Sequence, residues 1–143
     1  PVHDLEIDPI VPNQEKETGA NDASIVLLLE YEGKKILLPG DAEEALEKFL
    51  VHQYGDKLQA DVYKASHHGS PGSSIQPFVE LVQPKHTIYS AGAENSYGHP
   101  SLRVIRRMQR LGSEQWRTDQ NGDILVTIDD TGLYVTAEYS EDL

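Results

Sequence analysis

The stretch "ASHHGSPGSS", residues 65 to 74, sets His67 and His68 side by side where an apolar run gives way to small, turn-forming residues. The chain contains no cysteine, so thiolate chemistry and disulfides are excluded and any metal ion must be held by His, Asp or Glu. Two more polar groups stand in comparable settings: Asp41, after the apolar run "KKILLPG", and His99, in "NSYGHPS" after "KHTIYS". A carboxylate combined with imidazoles is a donor set for a divalent metal, and the same groups serve general acid–base chemistry.

Each of these residues also has a plainer reading. Asp41 precedes a helical segment, where Asp serves as an N-cap. Adjacent residues of an extended segment point to opposite sides, so His67 and His68 serve one metal together only if the chain turns between them. One is then a ligand and the other an orienting, catalytic or substrate-facing group; the alternative is a solvated loop histidine beside a buried one bonded to backbone. Gly69 and Ser70 suggest a tight turn whose backbone N–H groups could cradle an anion. His99 stands just before a helix start, where it could donate to a phosphate oxygen, or it packs against Tyr97. A triad of Ser70, a histidine and Asp41 is conceivable, but nothing requires it. His3, His52 and His86 have no comparable setting. Arg103, Arg106, Arg107, Arg110 and Arg117 form the one cationic cluster, read either as a solvated helix face or as a binding patch. There is no Gly-rich phosphate loop and no GxSxG elbow.

The elements that must position these groups follow from periodicity. "SIVLLLEY" (24–31) and "KKILLPGD" (34–41), split by "EGK", read as a hairpin of buried strands. Residues 42–54 form a helix with Ala45, Leu46, Phe49 and Leu50 on its apolar face, Glu43, Glu44, Glu47 and Lys48 on the other, and Gly55 at its end. A strand over 60–66, a helix over 74–82 with Pro77 near its start, and a strand over 85–92 follow. Residues 100–112 form a helix opened by Pro100 and Ser101, with Leu102, Ile105, Met108 and Leu111 as its apolar stripe. The tail reads as a meander of three alternating strands, with turns at Asn121-Gly122 and Asp130-Thr131-Gly132. Strands alternating with helices predict an α/β fold, a mixed sheet with flanking helices, in which ligand chemistry gathers at the carboxyl ends of the strands. If the strands pair in one sheet, Asp41, the histidine pair and the 93–101 segment share one edge.

Bulk properties bound the answer. A chain of 143 residues suits one domain, read here as a single unit over 1–143 with residues 1–22 an extended or loop-like lead-in. No apolar run approaches the roughly 20 residues of a membrane span, and the N-terminus has no signal-peptide pattern. It opens on Pro rather than Met, which suggests processing or excision from something longer. Twelve Lys and Arg against 24 Asp and Glu give a net charge of −12, a field that repels nucleic acid and anionic membranes at long range.

The segments "NDASIVLLLEYEGKKILLPGDAE", "LQADVYKASHHGS", "NSYGHPS" and "TDQNGDILV" resemble, in the same order, the C-terminal half of the metallo-β-lactamase-fold domain of ComEC-type DNA-internalisation competence proteins and their free-standing hydrolase relatives. The resemblance implies half of an αββα sandwich and a centre of two divalent metal ions, zinc or manganese, hydrolysing a phosphodiester. Asp41 matches the carboxylate bridging the metals, the SHHGS segment supplies a histidine, His67 ahead of His68, and His99 lies near the substrate phosphate with Ser70 and Asn95 as further substrate-binding candidates. The HxHxDH motif of such domains is absent. The chain is therefore expected to bind metal weakly and to be inactive alone, to need the missing N-terminal half of the domain, and to self-associate through the face that half would cover. The implied setting is an extracytoplasmic domain of a membrane protein acting on DNA. The alternatives are a secreted or cytoplasmic hydrolase of small phosphoesters and a non-catalytic interaction module.

Overall fold

In a computed structural model, residues 6–10 and 20–139 are described. A six-stranded sheet has its strands in chain order: β1 (Glu6–Ile10), β2 (Val26–Tyr31), β3 (Lys34–Leu38), β4 (Val62–Lys64), β5 (His86–Tyr89) and β6 (Glu114–Arg117). The first three are antiparallel, with Leu28 opposite Leu37; β3 to β6 run parallel. The helices α1 (Glu44–Tyr54), α2 (Gln76–Val82) and α3 (Leu102–Arg110) are the crossovers that parallel pairing demands. The chain is thus a mixed α/β fold.

The three helices bury their apolar residues in one core. Leu46 and Leu50 of α1, Phe78, Val79 and Val82 of α2, and Val104 and Met108 of α3 meet Leu37, Tyr63 and Tyr89 of the sheet. By strand alternation the opposite sheet face carries Leu27, Leu29, Ile36 and Leu38, which remain half-buried.

Several expectations are corrected. Of the predicted α3 stripe, Met108 is buried and Ile105 and Leu111 pack partly buried against the core, but Leu102 is 66% exposed and Val104 is buried in the core instead. The 3-residue stripe drifts around a helix of 3.6 residues per turn, whereas residues four apart share a face. In α1, Ala45 is exposed while Glu47, assigned to the outer face, is fully buried. The tail is not a meander: β6 joins the large sheet beside β5, a helical turn α4 (Thr118–Asn121) ends at Gly122, and β7 (Ile124–Asp129) pairs only with β8 (Gly132–Ala137) in a separate hairpin. The lead-in contains β1, and residues 20–23 form a 3-10 turn rather than a loop; residues 1–5 and 11–19 lie outside the described set.

Candidate metal and phosphodiester site

Parallel pairing of β3, β4 and β5 brings their carboxyl ends to one edge, and backbone hydrogen bonds lock the three following segments together. Gly40, at φ 62°, turns the chain after β3, and its carbonyl accepts from His67 N–H at 3.0 Å. The Gly69 carbonyl accepts from Ser101 N–H at 2.9 Å, which ties the histidine turn to the start of α3. Gly69 has φ 81°, and a Cβ there would lie 2.8 Å from Pro100 Cβ, so this approach requires glycine.

His67 and His68 both adopt left-handed backbone conformations, φ 46° and 57°, inside the 3-10 turn Ser66–Gly69. That turn defeats the opposite-sides rule of an extended chain and directs both rings to the same edge, their centroids 6.2 Å apart. A buried polar network holds it: Tyr63 Oη lies 2.8 Å from both Ser66 Oγ and Ser74 Oγ, and Ser73 Oγ donates to the Ser66 carbonyl at 2.7 Å. The serines of "SHHGSPGSS" are scaffold. Ser70 belongs to it as well: it is buried, its N–H donates to the His67 carbonyl, and its hydroxyl accepts from Gly72 N–H. The structure therefore does not bring Ser70 to the cleft, and its N–H is not free to cradle an anion.

Both histidines are oriented through Nδ1. His68 Nδ1 is 2.6 Å from the Ser90 carbonyl and His67 Nδ1 is 2.9 Å from Glu43 Oε1. Carbonyl and carboxylate oxygens only accept, so each Nδ1 carries a proton, which in the neutral tautomer leaves the lone pair on Nε2. This is how metal-binding imidazoles are prepared. His68 Nε2 faces Asp41 Oδ1 at 3.4 Å, a pair that a proton on Nε2 or a shared cation would satisfy. Asp41 is not the N-cap of α1. That position is Glu43, without a side-chain cap bond, and Asp22 Oδ1 accepts from Glu43 N–H and Leu46 N–H instead. Asp41 is left available, its own N–H satisfied by Ser24 Oγ at 3.1 Å.

His99 joins them, its ring 5.6 Å from that of His67 and stacked at 5.8 Å on Tyr97. Its Nδ1 is buried without a partner among the described residues, and burial, then His67 and His68, hold its pKa below the usual histidine value. A neutral ring with Nδ1 walled off has Nε2 left for the open side. Asn95 braces this loop: its amide donates to the Gly92 and His99 carbonyls at 2.7 Å each, and its Oδ1 accepts from His99 N–H at 2.9 Å. A cleft of about 220 Å³ lies between Ser90–Gly92 and the side chains of His68, Asn95, Tyr97 and His99. A larger one, about 290 Å³, opens at the other end of the strands, where Lys85 pairs with Asp61 at 2.9 Å. It is far along the strands from the histidines.

Sequence reasoning missed Glu43, Glu47 and Lys64. Glu43 follows Asp41 by two residues, and an acid at that offset beside a predicted ligand was the available signal. Glu47 accepts from Ser74 N–H and Ile75 N–H at 2.7 Å each, the free donors at the start of α2. Its pKa is pushed up to about 7 by burial, against these bonds and the Arg107 charge. Burial lowers the pKa of Lys64, and the Asp41 charge pulls it back up.

For a metal centre, Asp41, His67 and His68 are donors of the right chemistry with oriented rings. Among the described residues, no three His, Asp or Glu converge as a metal-holding group. The residues present fit one edge of a centre rather than a complete one.

No protein-family model matches the chain. It is 37% identical over 123 residues to "ComE operon protein 3" of Bacillus subtilis, a match covering 86% of this chain and 16% of that protein. It is 35% identical over 111 residues to "Competence protein ComA" of Neisseria gonorrhoeae, covering 78% of this chain and 16% of the relative. "Recombination protein 2" of Haemophilus influenzae is 31% identical over 106 residues, 74% of this chain and 13% of the relative. The chain spans about a sixth or less of the length of these relatives. Their names, and the likeness across most of this chain, support a competence, DNA-uptake family as the one to which the segment belongs.

Proposed function

We propose that this chain is the C-terminal part of a metal-dependent phosphodiesterase or nuclease domain that acts on DNA during uptake, built as half of a metallo-β-lactamase sandwich. The observation that carries the reading is the meeting of Asp41, His67, His68 and His99 at the carboxyl ends of three parallel strands, with both paired histidines anchored through Nδ1. Asp41 and His68 would hold metal on the shared side, which makes His68 rather than His67 the partner of the carboxylate. His67, steadied by Glu43, would be a second ligand or face the substrate. Zinc or manganese, when bound, supplies an acidified water and neutralises phosphate charge. His99, neutral and held by Asn95, would donate from Nε2 to a phosphoryl oxygen.

The half-buried face of Leu27, Leu29, Ile36 and Leu38 suits the missing N-terminal half, and in its absence a second copy. A place outside the cytoplasm in a membrane-bound parent is part of this reading, and the competence names of the relatives support its link to DNA uptake. No helix among the described residues is long and apolar enough to cross a membrane. The net charge of −12 would equally suit a small phosphodiester substrate, but the exposed Arg103, Arg106 and Arg110 of α3 supply the cations a strand needs.

The test is cleavage by the longer parent protein, loaded with zinc or manganese, of a single-stranded oligonucleotide and of bis(p-nitrophenyl) phosphate. Faster cleavage of the oligonucleotide is expected. Turnover of the small diester alone would overturn the DNA assignment, and turnover of neither would overturn the hydrolase reading.

A further inference from the structure

The cleft beside His68 and His99 is lined largely by apolar surface, although it adjoins the polar edge that carries Asp41 and the histidine pair. One wall is the chain from Ser90 to Gly92; the other carries the rings of Tyr97 and His99. Tyr97 is 81% exposed, the most exposed large hydrophobic residue among those described. One face of its ring is covered by His99, at an interplanar angle of 18°, which leaves the other open. The Asn95 bonds fix the loop that carries both rings, so the pair is a preformed platform rather than a floppy tip. Three residues beyond His99 the chain enters α3, where Arg103, Arg106 and Arg110 are exposed; the Arg103 charge also acts on the carboxylate of Glu44. On a chain of net charge −12, an exposed aromatic plane followed in the chain by a helix with exposed arginines has the chemistry of a strand-binding surface, with a face for a base and cations for phosphates.

We propose that this cleft receives an unpaired base of a single-stranded nucleic acid, stacked on the open face of Tyr97, with the flanking phosphates directed along the first turns of α3. The inference rests on the DNA-directed reading above and adds to it a reason for single-strand preference. A base can reach Tyr97 only after leaving a duplex stack, which costs free energy that a single strand does not spend. Tyr97 is on this account a substrate-binding residue, and Asn95 positions it through the loop.

The test uses the 143-residue chain and fluorescence anisotropy, with a labelled oligothymidylate and an abasic strand of equal length. The wild-type chain should bind the base-bearing strand at least about 5-fold more tightly than the abasic one, the low end of stacking on a single aromatic side chain. Tyr97→Ala should abolish that difference and Tyr97→Phe should retain it, with unchanged circular dichroism in both. Equal binding of the two strands by wild type, a difference that survives in Tyr97→Ala, or no binding of either strand would overturn the inference. In the parent protein, unaltered oligonucleotide cleavage by Tyr97→Ala would remove the stacking role alone, whereas absence of cleavage in wild type removes the nuclease reading on which it rests.

Discussion

Asp41 and Glu47 are two carboxylates that bracket the same histidine turn, and the fold treats them oppositely. Glu47 is fully buried, and its two oxygens accept the free N–H groups of Ser74 and Ile75. Asp41 is roughly half exposed, its capping task has gone to Asp22, and its oxygen faces Nε2 of His68. A carboxylate whose acceptor sites are filled by backbone donors is structure. One left half exposed, 3.4 Å from an imidazole nitrogen, is free to take part in the metal centre proposed above.

Substitution should separate the two. In the metal-loaded parent protein, Asp41→Ala should reduce phosphodiester turnover by more than about 100-fold, beyond what outer-shell residues typically contribute. The same change should alter the urea-unfolding free energy of this chain by less than about 0.5 kcal/mol, as is usual for exposed positions. A large loss of stability in Asp41→Ala would erase the contrast. Glu43→Ala, which releases His67 Nδ1, should lower metal affinity or turnover by about 10–100-fold, read by metal titration and by rate.

Glu47→Ala should act the other way round. It strands the buried N–H of Ser74 and the partly buried N–H of Ile75, a buried donor costing about 1–3 kcal/mol, so the midpoint of urea unfolding should fall by an amount equivalent to about 2–5 kcal/mol. The pH dependence sharpens this further. Because burial raises the folded-state pKa of Glu47 from 4.5 to about 7, the folded chain holds a proton there that the unfolded chain has released between those values. Its contribution to stability is therefore full below pH 4.5, declines as pH rises towards 7, and is flat above. Urea midpoints measured across that range should decline in wild type relative to Glu47→Gln, which cannot titrate. Parallel curves would show that Glu47 does not change protonation in the fold.

These two residues also show what the sequence could and could not tell. Asp41 was legible because its place, after Gly40 at the end of an apolar strand, belongs to the strand pattern itself. The common edge of Asp41, His67, His68 and His99 was legible for the same reason, since strand–helix alternation implies parallel strands with aligned carboxyl ends. Glu47 was not legible. Helical periodicity puts it among the acids of α1, and only the packing of α2's unsatisfied N-terminus against that helix explains its burial. The orientation of the histidine pair was hidden likewise, because it depends on two consecutive left-handed residues and on acceptors 22 and 24 residues away. Alternation within β6, β7 and β8 identified three strands, but not that β6 pairs with β5 while the other two stand apart, since alternation does not name a partner.

The central claim is that this chain carries one edge of a metal centre, with Asp41 and His68 as its shared donors. Calorimetric titration with zinc tests it most directly, on the isolated chain and on the parent protein, each as wild type and as Asp41→Ala. Weak binding by the isolated chain and tight, stoichiometric binding by the parent that Asp41→Ala removes are the predicted results. Micromolar or tighter stoichiometric binding by the isolated chain, or tight binding by the parent that survives Asp41→Ala, would contradict it.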